Sequence, residues 1–121
     1  MTPEQVVDRQ LLAYNAKDLD AFIATYAEDA QTFNLGSERP SISGKAAIAE
    51  IFGTKTFKLP GLKAEIISRI VCGNKVIDIE RSWGFGDEPI TGPVIYEVNG
   101  QVIQNVWFLD ADTIQSPKGD A

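Results

Sequence analysis

The sequence predicts an α+β fold in which three N-terminal helices pack on a curved antiparallel β-sheet, and three observations carry that prediction. Val6 to Asn34 holds two short stretches of helical periodicity that run into a first strand with almost no linker. A third helical stretch follows near Ala47, and from Leu62 onward the chain alternates like strand and is broken by two hairpin signals. Helices first and strands afterwards segregate onto one face of a sheet. At 121 residues the chain, 1–121, is expected to be one domain whose core needs no disulfide or metal staple.

The first helix is expected to begin at Thr2-Pro3-Glu4-Gln5, which has capping-box spacing and proline at the first helical position. Val7, Leu11 and Tyr14 recur on one face, and the helix ends near Asn15 to Lys17. Asp18 caps a second helix in which Leu19, Phe22, Ile23 and Tyr26 share an apolar face. Ala27-Glu28-Asp29 reads as a turn whose acids cap backbone, Ala30 to Leu35 as a short strand, and Ser41-Ile42-Ser43 as its return. Ser43 precedes a third helix whose apolar face, Ala47, Ile48, Ile51 and Phe52, stops at Gly53. Thr54 to Gly61 is expected as a loop at the rim of a pocket.

Four strands are expected in the remainder. Leu62 to Val71 and Lys75 to Trp83 flank Gly73-Asn74, while Val94 to Val98 and Gln101 to Leu109 flank Asn99-Gly100. Gly84 to Pro93 links the two hairpins, and the polar tail, 111–121, is expected to fray.

Composition excludes several function classes. A net charge of −6 with 11 scattered Lys and Arg argues against nucleic acid. No apolar run approaches the roughly 18 residues of a membrane span, and Met1 to Gln5 lacks the basic and apolar regions of a signal peptide, so a cytoplasmic location is expected. The absence of histidine rules out Ser-His-Asp and Cys-His catalysis and argues against a transition-metal centre. No metal and no organic cofactor is expected, and acid or base work falls to carboxylates, tyrosines or lysines. Cys72, the one cysteine, reads as a buried small hydrophobe.

Alternation assigns strand faces. In the second long strand Ile77, Ile79, Arg81 and Trp83 are expected inside, with Asp78, Glu80 and Ser82 outside; Glu97 is also expected to point away. In the last strand Ile103, Asn105, Trp107 and Leu109 oppose Val102, Gln104, Val106 and Phe108, and both sets are largely apolar. Three helices cover one side only, so Val102, Val106 and Phe108 with Ile95 are expected to pack on a second copy as a sheet-to-sheet homodimer.

The segments Asn15 to Asp20, Tyr26 to Ala30, Ser43 to Ile48, Tyr96 to Gly100 and Val102 to Leu109, in this order of elements, resemble the nuclear transport factor 2-like (NTF2-like) superfamily, and within it the SnoaL-like and ketosteroid isomerase-like proteins. The resemblance implies a cone-shaped cavity between helices and sheet. It also implies proton-transfer, cyclisation, dehydration or epoxide-opening chemistry on apolar molecules, or ligand and partner binding alone. The tyrosine, aspartate base and protonated aspartic acid of the isomerases align with Gln10, Asn34 and Val94. Asn34 accepts no proton at neutral pH and Val94 donates no hydrogen bond, so the usual isomerase set is absent. Limonene epoxide hydrolase-like members resemble the chain at Glu80-Arg81 and Asn34, but Trp83 and Trp107 stand where their aspartates belong.

The residues expected to bind a ligand are Tyr14, Asn34, Arg81, Trp83, Tyr96, Asn105 and Trp107, with Tyr26, Phe33 and Val94 adding to the walls; no catalytic residue is assigned. An interior Arg81 demands a carboxylate partner, either Glu65 or Asp29 or an acidic ligand. The expected partner is therefore a small apolar, cyclic or acidic molecule. If the protein is an enzyme, a steroid delta-isomerase-like or polyketide cyclase-like lyase, isomerase or hydrolase without metal is expected. The alternative is a non-catalytic dimerising or protein-interaction module with a self-filled interior and Arg81 held by Glu65.

Overall fold

Thr2 opens the first helix with the reciprocal bonds that its spacing predicts. Its hydroxyl accepts from the Gln5 amide at 3.3 Å, and the Gln5 side chain accepts from the Thr2 amide at 2.9 Å. The computed structural model describes residues 1–109, so the tail expected to fray, 111–121, lies outside the described residues. Helix α1, Pro3–Ala16, ends at Lys17 in the left-handed conformation, and Asp18 caps the five-residue α2, Leu19–Ile23, by accepting from the Ala21 amide.

Tyr26, expected on the apolar face of α2, is instead the first residue of β1, Tyr26–Asn34. The ring is buried either way, 5.2 Å from Phe22, which is why periodicity alone misplaced it. Glu28 and Asp29 consequently lie in the strand and not in a turn, and Asp29 accepts from the Gln104 amide nitrogen at 2.8 Å. After β2, Ile42–Ser43, the cap position of α3, Lys45–Thr54, is Gly44 and not Ser43. Gly53 lies within the last turn of α3, where a Cβ would come 2.8 Å from Leu19 Cδ2, so its lack of side chain lets α2 and α3 close on each other. The expected loop contains one turn of 3₁₀ helix, Thr56–Lys58.

Strands β3, Lys63–Cys72, β4, Lys75–Trp83, β5, Ile90–Asn99, and β6, Val102–Phe108, follow. The expected linker shrinks to 84–89, because Ile90 to Pro93 already pair with β4. The sheet runs β2-β1-β6-β5-β4-β3, antiparallel as expected except that β1 and β6 are parallel. The three helices cover one face, and Val6, Val7, Phe22, Ile48, Val76, Ile103 and Val106 form its core. The Asn15 amide ties α1 to β3, donating to the Ala64 carbonyl at 2.9 Å and accepting from the Ala64 amide at 2.8 Å. Cys72, expected to be buried, is exposed at the hairpin end of β3. Among the described residues no helix is long and apolar enough to cross a membrane.

Candidate functional site

The covered face of β4 carries Val76, Asp78, Glu80 and Ser82, the reverse of the expected orientation. Val76 and Asp78 are wholly buried, and Glu80 and Ser82 line a cavity of about 340 Å³ between α1 and the sheet. Ile77, Ile79, Arg81 and Trp83 therefore occupy the outer face. Polarity misled because the inner face lines a partly polar cavity, while the outer face holds a half-buried apolar row.

That row is continuous. Register pairs Phe33 with Trp107, Trp107 with Ile95, Ile95 with Ile77, and Ile77 with Ile70, so it crosses five strands. Phe33 and Trp107 stack at 5.7 Å. Of the residues expected to form the second apolar face, Val106 instead packs in the core and Phe108 lines the cavity, while Ile95 lies on the outer face.

The cavity's walls are mostly apolar, with Leu11, Phe52, Ile90, Val94 and Phe108 among them. Its polar side chains include Gln10 and Tyr14 on α1, Tyr26 on β1, Thr56 in the 3₁₀ turn, Glu80 and Ser82 on β4, and Tyr96 on β5. Gln10 Nε2 donates to the Tyr26 hydroxyl at 3.0 Å, and the Tyr96 hydroxyl donates to Glu80 Oε2 at 2.7 Å. Gln10 is thus a cavity residue, although it aligns with the isomerase tyrosine. Tyr14 lies one helical turn further on, in an aromatic cluster with Phe57 at 5.8 Å.

Burial pushes the Glu80 carboxyl up from 4.5 to about 7; the Tyr96 bond opposes this, Asp78 adds to it and Arg69 lowers it. Burial first, then the charge of Glu80, raises the Tyr14 phenol, so it stays protonated and can donate to a ligand oxygen. Burial likewise raises Tyr26 and Tyr96. A carboxyl that titrates near neutrality inside an apolar cavity can take up or deliver a proton, and neighbouring neutral phenols can stabilise an oxyanion.

Below Glu80, Asp78 is held by Arg69 through two bonds, Nε to Oδ1 at 2.6 Å and Nη2 to Oδ2 at 3.0 Å. Arg69 Nη1 also donates to Asp8 Oδ1 at 2.8 Å. The bidentate geometry and the second carboxylate compensate a charge pair that burial would otherwise penalise.

Of the residues expected to bind a ligand, the structure brings Tyr14 and Tyr96 to the cavity. Asn34 stands opposite Phe108 at the exposed end of β1 and does not line it. Arg81 lies on the outer face with Glu65 at 3.5 Å, and Trp83 stands there under the Lys63 ammonium at 5.7 Å. Asn105 donates to Glu97 Oε1 at 2.7 Å, and Trp107 belongs to the outer row. Sequence reasoning missed Glu80 and Gln10 as cavity residues. The turn at Gly73-Asn74 held the missing signal for β4, because counting outward from it sets Arg69 opposite Asp78.

The fold recurs among solved structures. An uncharacterised cystatin-fold protein from Novosphingobium aromaticivorans is 22% identical with a TM-score of 0.82, over 91% of this chain and 99% of that one. A candidate polyketide cyclase from Sinorhizobium meliloti is 23% identical with a TM-score of 0.73, over 85% of this chain and 92% of that one. A candidate ketosteroid isomerase from Kribbella flavida is 19% identical with a TM-score of 0.73, over 87% and 74%. No curated protein shows significant sequence similarity. The SnoaL-like domain model matches residues 7–106, most of the described chain, and the cone of helices on a mixed sheet is the NTF2-like architecture. The chain belongs to the SnoaL-like family of the NTF2-like superfamily.

Proposed function

We propose that this protein binds a small, uncharged, ring-containing molecule in the cone and moves a proton on it through Glu80, as a cofactor-independent isomerase or cyclase of the cytoplasm. One observation carries the reading: a carboxyl held at about 7 faces a cavity of about 340 Å³ whose walls are mostly apolar. Tyr14 supplies a neutral phenol that can donate to a carbonyl oxygen as Glu80 takes a proton from the adjacent carbon. Two similar folds carry the names of a candidate polyketide cyclase and a candidate ketosteroid isomerase. The acidic ligand expected from Arg81 loses its support, because Arg81 lies outside and no Lys or Arg lines the cavity among the described residues. Incubating the protein with cyclic ketones in D₂O tests the proposal: deuterium should enter the carbon beside the carbonyl, and Glu80→Gln should abolish it. Ketones that bind without exchange, or exchange unaffected by Glu80→Gln, overturn it.

The non-catalytic module keeps one observation in its favour, the Arg81–Glu65 pair, but an open cavity weighs against a self-filled interior. The proposal includes a homodimer through the row from Phe33 to Ile70, which the helices leave uncovered. The flanking row, Asn105, Glu97 and Lys75, carries both charge signs, as a self-complementary face requires. Sedimentation at micromolar concentration should show a dimer that Trp107→Glu dissociates. A wild-type monomer excludes this part of the proposal.

A further inference from the structure

The buried pair beneath Glu80 lies outside the cavity, and a structural role alone leaves its placement unexplained. Asp78 shares a face with Glu80 two residues away, so Arg69, which reaches Asp78 from β3, brings a cation close to the one carboxyl among the described residues of the cavity wall. Arg69 approaches as a rigid fork, and such a fork takes whichever carboxylate presents two oxygens to it. Asp78 presents both of its oxygens and is wholly buried.

We propose that Asp78 is a positioning residue for Glu80: by engaging the Arg69 guanidinium through both oxygens, it stops that cation from becoming the counterion of Glu80 and leaves the Glu80 carboxyl open to the cavity. This rests on the reading of Glu80 as the proton-transfer group. The groups packed toward Glu80 are Asp78 on its own strand, Arg69 on β3, Tyr96 on β5, Tyr26 on β1 and Tyr14 on α1. Arg69 is the one cation among them, and Asp78 opposes its pull on Glu80. Asp8 shares Arg69, but its side chain is 59% exposed, so solvent screens its contribution. With Asp78 neutral, the buried end of Arg69 faces Glu80 as the remaining buried carboxylate and stabilises its charged form.

Carboxyl carbon NMR titration of Glu80 in the ligand-free protein tests this without reference to any substrate. In Asp78→Asn the Glu80 midpoint should fall by at least about one unit, tenfold in proton affinity, and in Arg69→Met with Asp78→Leu it should stay within about half a unit of the wild type. The double variant replaces both charges by apolar groups of similar volume, a change that buried pairs tolerate, so it serves if the single variant does not fold. An unchanged or raised midpoint in Asp78→Asn, or a double variant displaced by a full unit, overturns the proposal. Loss of the Asp78 charge by itself also lowers the midpoint, since Asp78 adds to the rise of Glu80. The readout that a purely structural pair would not move is therefore the Arg69 Nε proton, which in Asp78→Asn should shift as Glu80 titrates, and an Arg69 signal that ignores the Glu80 titration also overturns the proposal. Failure here leaves the Glu80 reading standing, whereas loss of that reading shows separately, as ketones that exchange no deuterium.

Discussion

The Tyr96 hydroxyl reaches across the β4–β5 pair and donates to Glu80 Oε2 at 2.7 Å, so the carboxyl of the cavity is held in orientation by a donor that favours its charged form. Burial acts in the opposite direction and is the larger effect, and the balance sets the carboxyl at about 7. The same bond thus orients the carboxyl and limits how far burial raises it.

Tyr96→Phe removes the bond and keeps the ring, so the Glu80 midpoint should rise above its wild-type value. NMR titration of the variant checks the direction. The loss of one hydrogen bond to a charged group should also cost about 1–3 kcal/mol of stability above pH 7, measured by urea unfolding.

Glu80 also makes stability depend on pH with a definite sign. Its folded value lies above its unfolded one, so between about 4.5 and about 7 the folded state holds a proton that the unfolded chain has released. This contribution is fully present below 4.5 and is lost as pH rises through 7. Relative to Glu80→Gln, the wild type should therefore lose up to about 3 kcal/mol across that window. Paired urea titrations at pH 4.5 and 8 give the difference, and a wild type that instead gains on Glu80→Gln reverses the assignment.

Gln10→Leu removes the donor to the Tyr26 hydroxyl, which is buried among Phe22 and the sheet. The orphaned hydroxyl should cost about 1–3 kcal/mol. Gln10→Leu/Tyr26→Phe, in which both partners are apolar, should recover most of that loss in a thermal unfolding series.

Arg81→Ala should leave any ligand affinity in the cone unchanged and cost less than about 1 kcal/mol, since its partner Glu65 is similarly exposed and solvent screens the pair. Isothermal titration with a cavity ligand tests the first part. A lost affinity would place Arg81 back at the site.

The starts of α1 and α2 were legible because capping is local: Thr2 with Gln5, and Asp18 with Ala21, sit within one turn of each other. The boundary between α2 and β1 was not, since Tyr26 is buried in either conformation and its strand partner, Ile103, lies far along the chain. The parallel β1–β6 pair is invisible to hairpin logic, which reads neighbours only.

The site was less legible than the fold for a related reason. Ile77 and Ile79 look more like core than Asp78 and Glu80, and in a filled interior they would be. Here the interior has a cavity and a compensated ion pair, while the outer face keeps its isoleucines. Tyr14 and Tyr96 were found because tyrosine suits both core and cavity wall. Arg81 was misplaced with its face, and the arginine that meets a wholly buried carboxylate is Arg69 on the neighbouring strand, which the sequence reading did not single out.

The place of β6 in the sheet bears on how this chain is made. Although β6 comes last of the strands in chain order, it sits between β1 and β5. During synthesis β1 and β5 each keep an open edge until residues 102–108 have left the ribosome. Joining β2-β1 to β5-β4-β3 thus waits for β6, and the species just before it, with two open edges beyond those of the finished sheet, is the form that chaperones would have to protect.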